Sequence, residues 1–207
     1  MKAEKRTDKF IVSFDEADDI AVSTVQIADF GLYSGRELTN DEYQELKSAL
    51  GLASCKARAM RILGSVTLSE REMERRLISK GEAAEDARAA VEWLKEIGMI
   101  DDTRYAASIT GHYSGKGYGP ARIKDELFKR GIPRGISEEA MSGVENDYEA
   151  AEEYIAKKLK GSTEKEDVRS AVNALYRRGF SYDDARAAVS GYMERTAAEG
   201  NIKADDT

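Results

Sequence analysis

The sequence predicts a mainly α-helical protein made of tandem three-helix repeats in an elongated, solenoid-like array, with a small N-terminal β-hairpin in front. Three observations lead to that class. A motif of Leu, an apolar residue, a polar or basic residue, a basic residue and Gly occurs three times, at Leu77–Gly81, Leu127–Gly131 and Leu175–Gly179, with its glycines 50 and 48 residues apart. There are 2 prolines among 207 residues, and Ala, Glu, Lys and Arg abound, a composition that favours helix. Strand-type alternation is confined to the N-terminal part.

That part reads as two strands and a turn. Phe10-Ile11-Val12-Ser13-Phe14 is a β-type run, and in Ile20–Ile27 Ile20, Val22 and Thr24 alternate with Ala21, Ser23 and Val25. The acidic segment Asp15–Asp19 turns the chain between them. A lone hairpin is marginal in water, so Phe30, Leu32 and Leu38 are expected to help cover it. Thr39-Asn40-Asp41-Glu42 has the spacing of a capping box, in which the hydroxyl and the carboxylate each satisfy an orphan N–H. The helix it starts is expected to reach about Leu50 and to close at Gly51. This N-terminal unit is assigned to residues 1–54.

From Cys55 on the periodicity is helical. Met73, Ile123 and Ala171 lie four residues before the Leu of each motif, extending an apolar stripe. Val91, Met141 and Val189 lie ten residues after each Gly, preceded by Ala90, Ala140 and Ala188 and followed three residues later by Leu94, Val144 and Tyr192. Each Gly suits the left-handed position that ends a helix. Capping boxes at Ser69–Glu72 and Thr163–Glu166, and Pro120 at a first helical position, mark the corresponding starts. A further helix leads each repeat, at Lys56–Leu63, Arg104–Tyr113 and Tyr148–Leu159. The modules are therefore residues 55–100, 101–144 and 145–196. Units this small must stack on neighbours. The stretch 197–207 has no apolar period and reads as a disordered tail.

The formal net charge is −7, unevenly spread. Residues 1–54 carry 6 basic and 11 acidic side chains, net −5; residues 55–136 carry 16 and 12, net +4; residues 137–207 carry 10 and 16, net −6. A basic middle can touch a polyanion or dock on an acidic partner. The single cysteine, Cys55, excludes an internal disulfide and a Cys-rich zinc site, and the single histidine, His112, excludes a three-His metal centre. No catalytic, cofactor or metal site is expected. No apolar run spans a bilayer and the first residues lack a signal-peptide core, so a cytoplasmic protein without a membrane partner is expected.

Several motifs admit two readings. The cations before each Gly (Lys80, Lys129 with Arg130, Arg177 with Arg178) complement the helix dipole, or form a row spaced one module apart. Ser114-Gly115-Lys116-Gly117-Tyr118-Gly119-Pro120 lacks the Gly-Lys-Ser/Thr of a phosphate-binding loop. It is a plain connection, or a contact loop in which Lys116, Tyr118, Arg122 and Lys124 combine cation and aromatic. Asp101-Asp102 reads as a helix cap. Cys55, at an expected helix start, is taken as structural, and His112 as a surface or packing residue. No nucleophile–base–orienter set is apparent.

Taken together, these stretches resemble the RecX family, bacterial regulators of the recombinase RecA. The resemblance is carried by Ser69–Met73 through Lys80-Gly81, by Trp93–Gly98 with Ile100–Ala106, and by residues 117–132, GYGPARIKDELFKRGI. The last is close to the family's G-x-G-x-x-x-I-x-x-E-L-x-x-K-G-I pattern, with Arg130 where Lys is usual. Gly31–Leu38 looks like the extended form of some members. The likeness covers about residues 30–194 and is thinnest in the third module. It implies tandem three-helix repeats and a non-enzymatic protein, and a monomer is expected. It also implies binding in the groove of the RecA–DNA filament, restraint of RecA's ATPase and strand exchange, DNA binding, and a role in recombination, DNA repair and the SOS response; the acidic ends are expected to keep binding to bare single- and double-stranded DNA weak. The candidate contacts are Arg75, Arg76, Lys80, Lys116, Tyr118, Arg122, Lys124, Lys129 and Arg130. The alternative is a helical-repeat DNA-binding protein without a filament partner. A third reading, an enzyme using Glu96, Asp101 and Asp102, fails if function survives Asp101→Asn.

Overall fold

The computed structural model describes residues 2–3, 9–144 and 149–205. The chain forms two compact units, Met1–Gly64 with Leu77–Ala90, and Ser65–Arg76 with Val91–Thr207.

In the first unit, β2 (Lys9–Val12) pairs antiparallel with β3 (Ile20–Ser23), placing Phe10 opposite Val22 and Val12 opposite Ile20. The short β1 (Lys2–Ala3) adds a third strand to the expected hairpin. Val22 points inward and is fully buried. The second strand stops four residues short of its expected end. Ser23 accepts from the Gln26 N–H while Gln26 accepts from the Ser23 N–H, a capping box that starts α1 (Thr24–Asp29). Phe14, two residues past β2, meets Tyr43 of α2 (Asn40–Leu63) edge to face at 5.1 Å.

α2 opens with the expected Thr39–Glu42 capping box. It does not end at Gly51. It runs through that residue to Leu63, merging the N-terminal helix with the leading helix of the first module, so the expected break at 54/55 lies inside a helix. Gly51 serves a close approach instead: a Cβ there would stand 2.7 Å from Oδ2 of Asp86. Cys55 is therefore mid-helix and fully buried. Burial pushes its thiol up to about 11, with Glu82 and Asp86 adding to the effect.

Two helices of the first module follow, α3 (Glu70–Ser79) and α4 (Ala84–Glu96). The second module is α5 (Asp102–Ser114), α6 (Pro120–Lys129) and α7 (Arg134–Met141). The third is α8 (Glu149–Leu159), α9 (Lys165–Arg177) and α10 (Tyr182–Asp205). The boundary expected at 144/145 and the start at Tyr148 lie outside the described residues. The second and third modules each close a separate core. Ala106, Ile109, Ile123, Leu127, Ile132 and Met141 form one. Ile155, Leu159, Val172, Leu175, Phe180 and Val189 dominate the other. Each large apolar side chain so buried contributes about 1.5–3 kcal/mol, a modest total against the entropy of ordering a module.

The three motif glycines behave as their spacing implies, with φ of +89° at Gly81, +74° at Gly131 and +97° at Gly179. In each case the Gly N–H donates to the carbonyl two residues before the cap (Ile78, Phe128, Tyr176). The next N–H reaches the motif Leu carbonyl, closing a Schellman turn. Two of the turns also form joints inside the second unit. The Ser69 hydroxyl donates to the Arg130 carbonyl and accepts from the Glu72 N–H. A Cβ on Gly131 would fall 2.8 Å from Cβ of Arg71. At the next joint the Gly119 N–H donates to the Arg178 carbonyl (2.9 Å) and the Ala121 N–H to the Gly179 carbonyl (3.0 Å). A Cβ on Gly179 would fall 2.7 Å from Cβ of Arg122 and collide with that residue's amide nitrogen. The start of one module's middle helix thus seats on the end of the next module's middle helix, twice over.

Two further expectations need correction. Thr163 forms no capping box. α9 starts one residue later, after Glu164, and Ser162 serves instead, its hydroxyl accepting from the Glu164 N–H and donating to Asp167. α10 continues through the stretch from residue 197 as far as Asp205, where the sequence showed no apolar period. Ala, Glu and Lys have high helix propensity and no proline interrupts them.

A cation cluster on the second module

The site is built on α6. Pro120 at the first helical position pre-sets φ for a helix. From there Ile123 and Leu127 face the core, and Glu126 falls on the same side at its edge. The residue is 7% exposed, and its carboxylate collects three cations spaced one turn around it. Arg122 reaches Oε1 at 3.1 Å, Lys129 reaches Oε1 at 3.3 Å and Arg130 reaches Oε2 at 2.7 Å. Arg130 also donates to the Tyr105 hydroxyl at 3.2 Å. The Arg130 hydrogen bond, followed by Lys129, holds the Glu126 carboxyl down to about 2 against the cost of burial. Burial opposes the charge of Arg130, but the bonds to Glu126 and Tyr105 outweigh it and raise its pKa. One carboxylate therefore fixes three cations and leaves an excess of positive charge on a rigid helix.

A second arrangement ties down the glycine-rich loop. Arg178 donates to the carbonyls of Lys116 (2.7 Å) and Gly117 (3.3 Å). Its guanidinium lies over the rings of Tyr154 at 3.9 Å and Tyr118 at 4.6 Å. Tyr118 in turn leans on Tyr113, centroids 5.4 Å apart. The expected contact loop is thus held by the third module, with its one aromatic side chain already stacked.

Of the candidate contacts, Arg122, Lys129 and Arg130 are brought together. Lys116 and Tyr118 form the separate group at Arg178. Lys124 is exposed on α6, and Arg75 and Arg76 are exposed on α3. Lys80, also exposed, follows that helix. Glu126, Tyr105, Arg178 and Tyr154 were not among the candidates. Glu126 had a readable signal, since it lies four residues after Arg122 and four before Arg130; the tyrosines had none. Asp101 and Asp102 are structural. Asp101 caps α5 by accepting from the Arg104 N–H at 3.0 Å. Asp102, 4% exposed, accepts from the Glu70 N–H at 3.0 Å, capping α3 from a neighbouring helix. Burial raises its carboxyl pKa, with the Glu70 N–H pulling the other way. Among the described residues no group of three or more His, Cys, Asp or Glu side chains is placed to hold a metal ion. No described helix is long and apolar enough to cross a membrane.

Repeated three-helix modules joined helix end to helix start, with a charged face held by one carboxylate, define a helical-repeat protein. A family model described as "RecX, second three-helix domain" matches residues 101–141, the module that carries the cluster. The "Regulatory protein RecX" of Xanthomonas axonopodis pv. citri is 35% identical over 140 residues, covering 66% of this chain and 86% of the relative. That of Vibrio vulnificus is 34% identical over 142 residues, covering 67% and 93%. The chain belongs to the RecX family of regulatory proteins. Two solved structures share its fold. A crystal structure of regulatory protein RecX has a TM-score of 0.70 at 21% identity, covering 94% of this chain and 96% of that one. The RecX of Lactobacillus salivarius has a TM-score of 0.58 at 20% identity, covering 72% and 99%.

Proposed function

We propose that this protein is a non-enzymatic, monomeric cytoplasmic regulator of the recombinase RecA. In this reading it binds the RecA–DNA filament and restrains ATP hydrolysis and strand exchange during recombination, repair and the SOS response. The observation that carries the reading is the Glu126 cluster within the module that matches the family. Arg122, Lys129 and Arg130 are pre-positioned there with surplus positive charge, so little side-chain entropy is lost when they meet phosphate or acidic surface. Lys116, Lys124, Arg75, Arg76 and Lys80 extend the set of candidate contacts, and Tyr118 acts by holding the loop that carries Lys116. The acidic ends, net −5 and net −6, keep affinity for bare single- and double-stranded DNA weak and leave selectivity to protein contacts.

The test is DNA-dependent ATP hydrolysis by the cognate RecA with this protein titrated in, at low and moderate salt. Suppression well below one regulator per RecA supports filament engagement. Loss of suppression on Arg122→Glu or Lys129→Glu would tie it to the cluster. No effect at any ratio, with DNA binding retained, leaves a helical-repeat DNA-binding protein without a filament partner. That alternative also predicts the steeper loss of binding with salt, each phosphate contact adding about 1 to the log–log slope.

A further inference from the structure

The apolar residue after the motif Leu does not enter a core. Phe128 is 83% exposed and Tyr176 is 59% exposed, and the equivalent Ile78, in the other unit, is 42% exposed. The same position in three repeats presents a large apolar side chain to solvent. Each sits on the last turn of its helix, and its own carbonyl accepts from the motif Gly N–H, at 2.9 Å for Phe128, 3.0 Å for Tyr176 and 2.9 Å for Ile78. The Schellman turn thus locks the backbone under each one. Phe128 is also flanked by charge. Lys124 lies one turn earlier on the same face and Lys129 follows directly, both exposed. Arg177 follows Tyr176 in the same way and is also exposed.

A rigid, exposed aromatic with a cationic rim has the make-up of an interface anchor. We propose that Phe128, with Tyr176 one module on, is the apolar anchor of a protein interface, each seating in an apolar pocket rimmed by carboxylates on successive copies of a repeating partner. The proposal rests on the filament reading above and names its protein contact; the Glu126 cluster meets charge, whereas these side chains meet an apolar pocket. Base stacking would need a flat ring at each position. Ile78 has none, so what the three positions share is apolar volume rather than a ring, and stacking by the two rings themselves is separated by the oligonucleotide arm below. Repetition at the module period suits a partner that itself repeats.

The experiment compares wild type, Phe128→Ala and Phe128→Leu in the RecA ATPase titration and in binding to a labelled single-stranded oligonucleotide. Because Phe128 is 83% exposed, the melting temperature of both variants should match wild type. Phe128→Ala should raise the half-suppressing concentration about tenfold or more. Phe128→Leu, which keeps apolar volume, should stay within about threefold. Oligonucleotide affinity should be unchanged in both. Full suppression by Phe128→Ala overturns the anchor, as does a Leu variant as impaired as the Ala variant, or a parallel loss of oligonucleotide affinity, which would mark a base-stacking contact. Wild type without effect on RecA overturns the filament reading itself, and is seen in a different arm.

Discussion

Replacing Gly179 by Ala should separate the joint between the second and third modules from the helix end that happens to form it. Two costs add. The backbone sits at φ +97°, where an L side chain costs about 1–2 kcal/mol. The new methyl would also fall 2.7 Å from Cβ of Arg122 and against its amide, so the two segments must part. Parting them loses the hydrogen bonds from Gly119 to the Arg178 carbonyl and from Ala121 to the Gly179 carbonyl, at about 1 kcal/mol each. The total is about 3–4 kcal/mol. Gly81→Ala is the control. Its φ is +89° and a Cβ there meets nothing within 4 Å, so only the backbone cost of about 1–2 kcal/mol applies. The excess, about 2 kcal/mol, corresponds to roughly 4–8 °C in melting temperature for a chain of this size. Thermal melts followed by circular dichroism measure both variants, and the Gly179 variant should also broaden as the modules uncouple. If Gly179→Ala melts no lower than Gly81→Ala, the joint contributes nothing and the argument from close approach is wrong.

Other consequences follow from the charged groups. Glu126 is held down to about 2, so its contribution is complete above the usual carboxylate range near 4.5 and is lost as pH falls through about 2. The depression corresponds to roughly 3 kcal/mol, which solvent around Lys129 and Arg122 trims to about 2. Glu126→Gln should therefore lower stability by about 2 kcal/mol at neutral pH in urea titrations, and the gap to wild type should close between pH 4.5 and 2; a gap independent of pH would remove the ionic explanation. Arg178→Lys keeps the charge but cannot lie flat between Tyr118 and Tyr154 while donating to two carbonyls. It should cost about 1–2 kcal/mol and speed hydrogen exchange at the Gly119 N–H, with the salt dependence of DNA binding unchanged.

The repeat was legible in the sequence because a helix end is a local event. A Leu stripe, a cation and a left-handed Gly suffice to write one, and Gly81, Gly131 and Gly179 all took that role. The boxes at Thr39–Glu42 and Ser69–Glu72 were legible for the same reason. Gly51 looks locally like a helix end because the residue that explains it, Asp86, lies far along the chain. The second strand is shorter than its alternation suggests because β-branched Thr24 and Val25 favour strand, while Ser23 and Gln26 carry a helix start that outweighs them. The candidate site was half legible. Helical spacing alone groups Arg122, Lys129 and Arg130, but that the carboxylate of Glu126 gathers all three depends on its burial at the core edge. The place of Tyr118 depended on Arg178 and Tyr154, two residues of another module. Function came from resemblance rather than spacing, since an interface without catalysis leaves no fixed geometry of reacting groups in the sequence.

The two joints of the second unit differ in a way that fixes the order of the modules. At one, a serine hydroxyl spans the gap to the Arg130 carbonyl; at the other, a backbone amide reaches the Arg178 carbonyl with no side chain between. A Cβ on Gly119 would run into the backbone of Gly179 and Phe180, so serine cannot stand there. Glycine in place of Ser69 would leave the Arg130 carbonyl without its hydroxyl. The sockets are alike but the plugs are cut to different lengths, so modules that look like copies cannot trade places, and the sequence of the array is written into its seams as well as into the chain that connects them.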